Sequence, residues 1–560
     1  MTATRWGDAP AGALDRASVR DLLLLMCAAF AMLLPGLFSL PPVDRDEPRY
    51  ATATSQMLDS HNFIDIRYQD QPRYLQPAGV YWLQSIPTAL FSRSGHRAIW
   101  TFRLVSLFGA VFAVVMTGAM SSRLFGRRVG LAAAVLLGAC LSLGFEAKIA
   151  KTDAALLACV VVAQFALMRT YLYPRPAWPV AAAFWAALGV GVLLKGPIIA
   201  LVIGLTILAL IACDRRADWL KGLRAQWGVL ITLAIALPWY MAIGLASHGQ
   251  FYAIAIGKSL LGKVGAGQQA HGGPIGYHLI GFPITFWPGS LLAVLALPYV
   301  WRERKEPAIR FLLCWIIPSW IVFELVKTKL PHYVLPLFPA IACLTALALF
   351  SPRVSARPWQ RWAFSAFCLF WTILSIGLCL AAPAALWTAF QRIDPLAAAL
   401  SVAALACVAA LVCSMINRRP EWAVAAVAGA SFFGSVDIYQ VAAPQLQTFW
   451  MSPRIERLAE AMTPCAGGRL ISTPYHEPSL VFLHGPTATI LADTPAKAAE
   501  TMSGACDTAL VGEKQTAAFL AEVTALGHAV RPLGQVTGRD YADGKTLTVT
   551  LYGAANPPAR

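Results

Sequence analysis

The sequence predicts an α-helical polytopic membrane protein, GT-C-like in layout with about thirteen transmembrane helices, followed by a soluble α/β domain. Three observations carry this expectation. The 560 residues are 58% hydrophobic and only 13% charged, about half the charged share of a soluble domain. The apolar residues run in stretches long enough to cross a bilayer, and those stretches stop near residue 440. A mean hydropathy of +0.59 also excludes a disordered chain, which needs low hydrophobicity and high charge.

Taken in order, apolar runs fall at roughly 22–40, 99–120, 129–145, 154–172, 178–194, 197–213, 228–246, 279–300, 311–326, 333–350, 362–382, 395–416 and 422–440. The first follows Arg16 and Arg20 but has no small-residue cleavage site before Pro41 and Pro42, so it reads as a retained span after a cytoplasmic stretch 1–21. Basic residues gather in alternate loops: Arg123, Arg127 and Arg128; Arg215, Arg216, Lys221 and Arg224; Arg302, Arg304, Lys305 and Arg310; Arg353, Arg357 and Arg361; Arg418 and Arg419. The positive-inside rule puts these loops and the N-terminus in the cytoplasm, and an odd number of spans then puts the C-terminus outside. The net charge of +16 is therefore topological. No soluble basic face with interleaved aromatics exists, so no nucleic-acid partner is expected.

From 441 to 560 the apolar runs shorten. Strand-like stretches at 470–472, 489–491, 509–511 and 546–551 alternate with helical patterns at 496–502 and 516–526, which predicts an α/β module on the outer face, as a lid or packing surface over the outer cavity. Ten of the twelve cysteines lie in apolar spans. Cys465 and Cys506 lie in the outer module, where an oxidising compartment favours a disulfide.

The first external loop, 41–98, is long and polar. Asp44, Asp46 and Glu47 crowd ahead of Pro48, followed by Arg49 and Tyr50 on a helical run. Helix capping explains one carboxylate there; three carboxylates and two arginines exceed what a cap requires. A second stretch, from Pro72 and Arg73 to Tyr81 and Trp82, suits a helix lying in the membrane interface. Further charged groups recur on the same outer side: Glu146, Lys148, Lys151 and Asp153; Lys195; Lys258, Lys263 and His271; and Glu324, Lys327, Lys329, His332 and Tyr333. A single lysine at a helix end merely snorkels, but several clusters on one face point to a site. Cations gathered with a carboxylate suit a lipid-linked phosphate as leaving group, with the carboxylate as base for an incoming hydroxyl. A transferase outside the cytoplasm needs a membrane-borne donor.

The runs Asp46 to Ala51, Ile149 to Ala154, Leu194 to Pro197 and Lys327 to Tyr333, in that order, resemble the bacterial aminoarabinose transferase and protein-mannosyltransferase-like membrane glycosyltransferases over about residues 20–350. The resemblance implies a GT-C fold, interfacial helices in the first external loop and inverting transfer from a polyprenyl-phosphate sugar to lipid A or another envelope glycan at the periplasmic face of the inner membrane. Protein O-mannosylation is the alternative activity, and lipid or glycan transport the non-enzymatic one. It makes Asp46 and Asp153 catalytic. Asp44, Glu47, Arg49, Tyr50, Arg73, Tyr81, Lys195, His271, Lys329 and Tyr333 become the substrate-binding set. Where aminoarabinose transferases carry Lys-Pro this chain has Gln76-Pro77, leaving Arg73 as the substitute cation or pointing to different substrates. No cofactor is implied with certainty. Asp44, Asp46, Asp153 and His271 offer ligands to a divalent cation, although no spacing demands one.

Overall fold

The computed structural model describes residues 16–43, 45–93, 97–173, 176–255, 257, 272–352, 358–462, 467–540 and 544–555. Chain contacts divide it into two compact units: residues 1–37, 74–80 and 103–441 in the first, and 38–73, 81–102 and 442–560 in the second.

The first unit is helical. Its segments are α1 (Val19–Leu33), most of α4 (Ile99–Phe125), α5 (Arg127–Ala139), α6 (Leu141–Glu146), α7 (Asp153–Leu172), α8 (Trp178–Lys195), α9 (Ile198–Asp214), α10 (Ala225–Ala246), α11 (Tyr277–Thr285), α12 (Ser290–Arg302), α13 (Pro307–Leu325), α14 (Phe338–Leu349), α15 (Pro358–Phe390), α16 (Pro395–Ile416) and α17 (Pro420–Ser435). Among the described residues nine helical stretches are long and apolar enough to span a bilayer, or ten if α11 and α12, bent by 119°, count as one. Each of the thirteen expected runs contains helix, although residues 34–40 of the first and 286–289 of the eighth are not helical. The runs at 22–40, 129–145 and 197–213 form helices of 15, 13 and 17 residues, shorter than the nine or ten stretches just counted, so the expected number of thirteen is neither met nor contradicted among the described residues. The second of these is cut short because Cys140 adopts an extended backbone that separates α5 from α6.

Local chemistry sets the helix ends. Ser18 and Asp21 form a reciprocal capping box on α1, and Asp21 also binds Arg127 at 2.6 and 2.8 Å. That guanidinium and the Ser18 cap hold the Asp21 carboxyl well below the usual carboxylate range. Asp394 caps α16 through the amides of Leu396 and Ala397. Two buried indoles of the bundle find hydroxyl partners, as polar groups without water favour: Trp287 Nε1 donates to Ser375 and Trp371 Nε1 to Ser290. Gly79 lies so close to α8 that a Cβ there would stand 2.6 Å from the Leu193 carbonyl oxygen.

The second unit joins the polar segments 38–73 and 81–102 to the C-terminal region. Its sheet has the order β4-β3-β5-β7-β6, with β3 (Leu470–Thr473) parallel to β4 (Thr489–Leu491) and β5 (Thr508–Gly512), and β7 (Thr546–Ala554) antiparallel to β5 and to β6 (Val530–Arg539). Strand alternation gives two cores. Leu470, Leu510 and Leu551 face α18 (Met451–Met462) and α19 (Pro478–His484), while Ile471, Ala509 and Val511 face α20 (Pro495–Thr501) and α21 (Thr516–Ala525). Four of the five strands match the expected runs. The fifth, β6, was not read from sequence: it is a polar edge strand containing Pro532, with a register shift between Pro532 and Gly534, features that hide a strand from apolar-run analysis. Cys506 is disulfide-bonded; Cys465, its expected partner, lies outside the described residues.

In the loop part of this unit, α2 (Asp46–Ser60) precedes the short hairpin of β1 (Arg67–Tyr68) and β2 (Gln71–Pro72), and α3 (Gly79–Phe91) enters after its first two residues. Thr54 bonds Gln84 at 2.9 Å, and Arg97 grips Asp59 with two bonds of 2.7 Å. α2 packs against α19.

Candidate active site

Two groups of polar side chains stand out, one in each unit. In the first unit, Asp153 opens α7 and Lys195 closes α8, and the packing of these two helices brings the ends together. Lys195 Nζ meets Asp153 Oδ1 at 2.5 Å, with both side chains nearly buried. Gly196 follows at φ +66°, a backbone that glycine adopts freely, so the chain leaves the helix directly behind the ammonium. The turn Pro331–Leu337 adds two groups. His332 places Nε2 3.8 Å from Asp153 Oδ1 and Nδ1 3.2 Å from the buried Glu146 carboxylate, while the Tyr333 ring centroid lies 5.8 Å from Lys195 Nζ. The result is an alternating chain of base and acid: Lys195, Asp153, His332, Glu146.

The segment between α6 and α7 carries two more cations. Ser106 Oγ fixes its backbone by donating to the carbonyls of Ile149 and Lys151. Lys148 is fully buried, donates to the Gly144 carbonyl at 2.6 Å and sits 4.7 Å from the Tyr439 ring centroid. Burial pushes its ammonium down to about 7, because an apolar surround disfavours the charged form. Lys329 donates to the Val326 carbonyl at 2.7 Å instead of joining the Asp153 group. Nearby, Glu324 accepts from the amides of Gly276 and Leu279 and so pins the start of α11.

In the second unit the Asp46 side chain is half exposed at the first turn of α2, 3.8 Å from Arg49. Glu47 turns away from solvent and accepts from the Val43 amide at 2.6 Å, closing the helix entry. Arg73 is buried with its guanidinium 4.9 Å from the Tyr50 ring centroid, and its Nε donates to Tyr81 Oη at 3.0 Å. Burial pushes the Tyr81 phenol up from its ordinary value, so it stays protonated. Arg73, Tyr50 and Tyr81 thus form one rigid aromatic–cation stack whose charge lies within electrostatic reach of Asp46.

Of the expected site residues, Asp153, Lys195 and Tyr333 converge in one group, and Asp46, Arg49, Tyr50, Arg73 and Tyr81 in the other. Glu47 and Lys329 are bonded to backbone, and Asp44 and His271 lie outside the described residues. Sequence reasoning noted Glu146 and His332 without assigning them roles, yet His332 bridges the two acids. Its adjacency to Tyr333 in a short external turn was the available signal. Among the described residues no three His, Cys, Asp or Glu side chains are grouped as a metal ion needs.

Residues 75–241 match a family model described as dolichyl-phosphate-mannose-protein mannosyltransferase. The chain is 29% identical over 338 residues to an undecaprenyl phosphate-alpha-4-amino-4-deoxy-L-arabinose arabinosyl transferase of Pseudomonas fluorescens, a stretch covering 56% of this chain and 57% of that protein. A second such transferase, from Pectobacterium carotovorum, is 24% identical over 379 residues, or 64% of this chain and 65% of the relative. The matches thus span less than two thirds of these relatives. In three dimensions the chain superposes on ArnT from Cupriavidus metallidurans bound to undecaprenyl phosphate with a TM-score of 0.72 at 19% identity, over 95% of this chain and 98% of that one. It superposes on the archaeal oligosaccharyltransferase AglB from Archaeoglobus fulgidus with a TM-score of 0.54 at 12% identity, over 88% and 69%. The fold is that of the GT-C membrane glycosyltransferases, the chain is a multi-pass membrane protein, and part of its sequence is similar to the aminoarabinose transferases.

Proposed function

We propose that this protein is an inverting glycosyltransferase that moves a sugar from a polyprenyl-phosphate carrier to lipid A or another envelope glycan at the periplasmic face of the bacterial inner membrane. In this reading the N-terminus is cytoplasmic and the C-terminal α/β domain, 441–560, periplasmic; the one-sided distribution of basic loops supports it. The observation that carries the reading is the Lys195–Asp153–His332–Glu146 chain, a buried, preorganised set of cations and acids in a membrane protein of this fold.

The chemistry is a displacement at the anomeric carbon. The acceptor oxygen forms the new bond as the bond from that carbon to the phosphate oxygen breaks, and the polyprenyl phosphate leaves with the electron pair. Lys195 neutralises the charge that grows on the phosphate. Arg73, held over Tyr50 and bonded to Tyr81, offers a fixed cation to an anionic substrate group in the second unit. Asp153 and His332 orient Lys195. Asp46 takes the proton from a hydroxyl acceptor; a phosphate acceptor is already ionised, and Asp46 then only positions it.

The mannosyltransferase family match supports a protein hydroxyl as the second acceptor class. The test is transfer of labelled sugar from its polyprenyl phosphate by the purified full chain in lipid vesicles, offered lipid A or a Ser/Thr peptide. Asp46→Asn should abolish transfer to a hydroxyl. Retention of the wild-type rate by Asp46→Asn, with transfer intact, would remove the catalytic assignment, and failure of every acceptor would favour transport.

A further inference from the structure

We propose that Glu477 is a positioning residue through which the C-terminal sheet region holds the Asp46 helix in its working orientation; this rests on the role given above to Asp46. Glu477 precedes α19 and is buried, and its carboxylate lies 3.8 Å from Nε of Arg45. Arg45 is the residue at which α2 begins, directly before Asp46. Arg49, one turn along the same helix, also attracts Glu477. The carboxylate therefore faces both arginines that flank Asp46.

A second tie fixes α2 farther along. Gln56 on α2 exchanges two hydrogen bonds with the backbone of Gln69, and the Gln69 side chain donates to the carbonyls of Pro486 and Thr489 at 3.2 and 2.8 Å. Pure packing needs no charge here. A buried carboxylate is costly to desolvate, and an apolar residue of similar volume is commonly the more stable choice. What an ion pair adds is direction, and this one directs the first turn of α2.

The groups facing Glu477 are Arg45, Arg49, Tyr68, Tyr475 and Asp540. Burial, and the Asp540 carboxylate that repels and hydrogen-bonds it, push Glu477 up to about 7 against the pull of the arginines. Its charge, and with it the hold on Arg45, is lost as pH falls through neutrality.

The experiment uses the full chain in vesicles with Glu477→Gln, Arg45→Gln, the double variant and Asp46→Asn. Transfer kinetics are measured from pH 8 to 6, together with amide hydrogen exchange over Asp46–Ser60. Each single charge variant should lower kcat about fivefold, with the donor KM within about twofold, and speed exchange in α2, while the double variant is no slower than the slower single. Wild type should lose rate toward pH 6 and Glu477→Gln should not. Unchanged exchange in α2, or losses that multiply in the double variant, overturns the proposal. Should Glu477→Gln fail to fold, Arg45→Gln, with its half-exposed guanidinium, carries the same readouts. A fully active Asp46→Asn would instead sink the catalytic reading of α2 while leaving the exchange result intact.

Discussion

Replacing Lys195 by Met removes the cation from a nearly buried pair whose charged atoms are 2.5 Å apart. At an effective dielectric of about 20, the gross attraction across that distance is roughly 7 kcal/mol. His332 stands only 3.8 Å from the same carboxylate oxygen and remains beside it in the variant. Breaking a buried pair by deleting one partner costs about 3–5 kcal/mol. For a chain of this size we expect the unfolding midpoint to fall by roughly 3–4 °C. The assay is thermal unfolding of the detergent-solubilised protein beside transfer kinetics. The paired variant Asp153→Leu with Lys195→Met removes both charges and should return to within about 1 kcal/mol of wild type while remaining inactive. A single Lys195→Met variant as stable as wild type, or a double variant less stable than that single, would refute the reasoning.

Other expectations follow from single contacts. Glu477 is raised to about 7 from an ordinary value of 4.5. The folded state therefore binds its proton more tightly, and the stability so contributed is complete below pH 4.5 and lost as pH rises through 7, with a slope of at most about 1.4 kcal/mol per pH unit. Denaturant unfolding at pH 5 and 7.5 should show that decline in wild type and a flatter profile in Glu477→Gln. Arg73→Lys forfeits the planar stack on Tyr50 and the bond to Tyr81; the donor KM should rise about tenfold, equivalent to about 1.4 kcal/mol, in steady-state assays. Gly79→Ala forces a Cβ to within 2.6 Å of the Leu193 carbonyl oxygen and should destabilise by about 1–3 kcal/mol. Gly144→Ala, where a Cβ meets open space, is the control and should leave the midpoint in place or raise it.

Much of the architecture was legible because long apolar runs permit few structures in lipid. Each of those runs contains helix, and the basic residues that alternate between loops are what the orientation argument used. The strands at Leu470–Thr473 and Thr508–Gly512 were legible for a related reason: both faces of the strand are covered, so consecutive apolar residues, Leu470 with Ile471 and Ala509 to Val511, mark them. Local backbone decisions escaped detection. Nothing in the run 129–145 announces the extended residue at Cys140, and β6 has the polar pattern of a loop. For the candidate site, residue types were readable and pairings were not. Asp153 and Lys195 are 42 positions apart, and only the packing of α7 on α8 makes them partners. His332 was quoted within its motif but not singled out, since a lone histidine beside a tyrosine carries no spacing signal. Glu47 shows the converse: crowded acids suggested a role in substrate binding, and the side chain is bonded to the Val43 amide.

The Gln69 amide reaches a carbonyl 420 positions further along the chain. On a ribosome working from the N-terminus, α2 emerges some 420 positions before β4, to which it is tied. Throughout that interval the carboxylate at position 46 sits on a helix that lacks its final neighbours. Ordering of the second unit therefore waits for synthesis to pass β4, and a product arrested before residue 478 would carry the acidic loop without the framework that orders it.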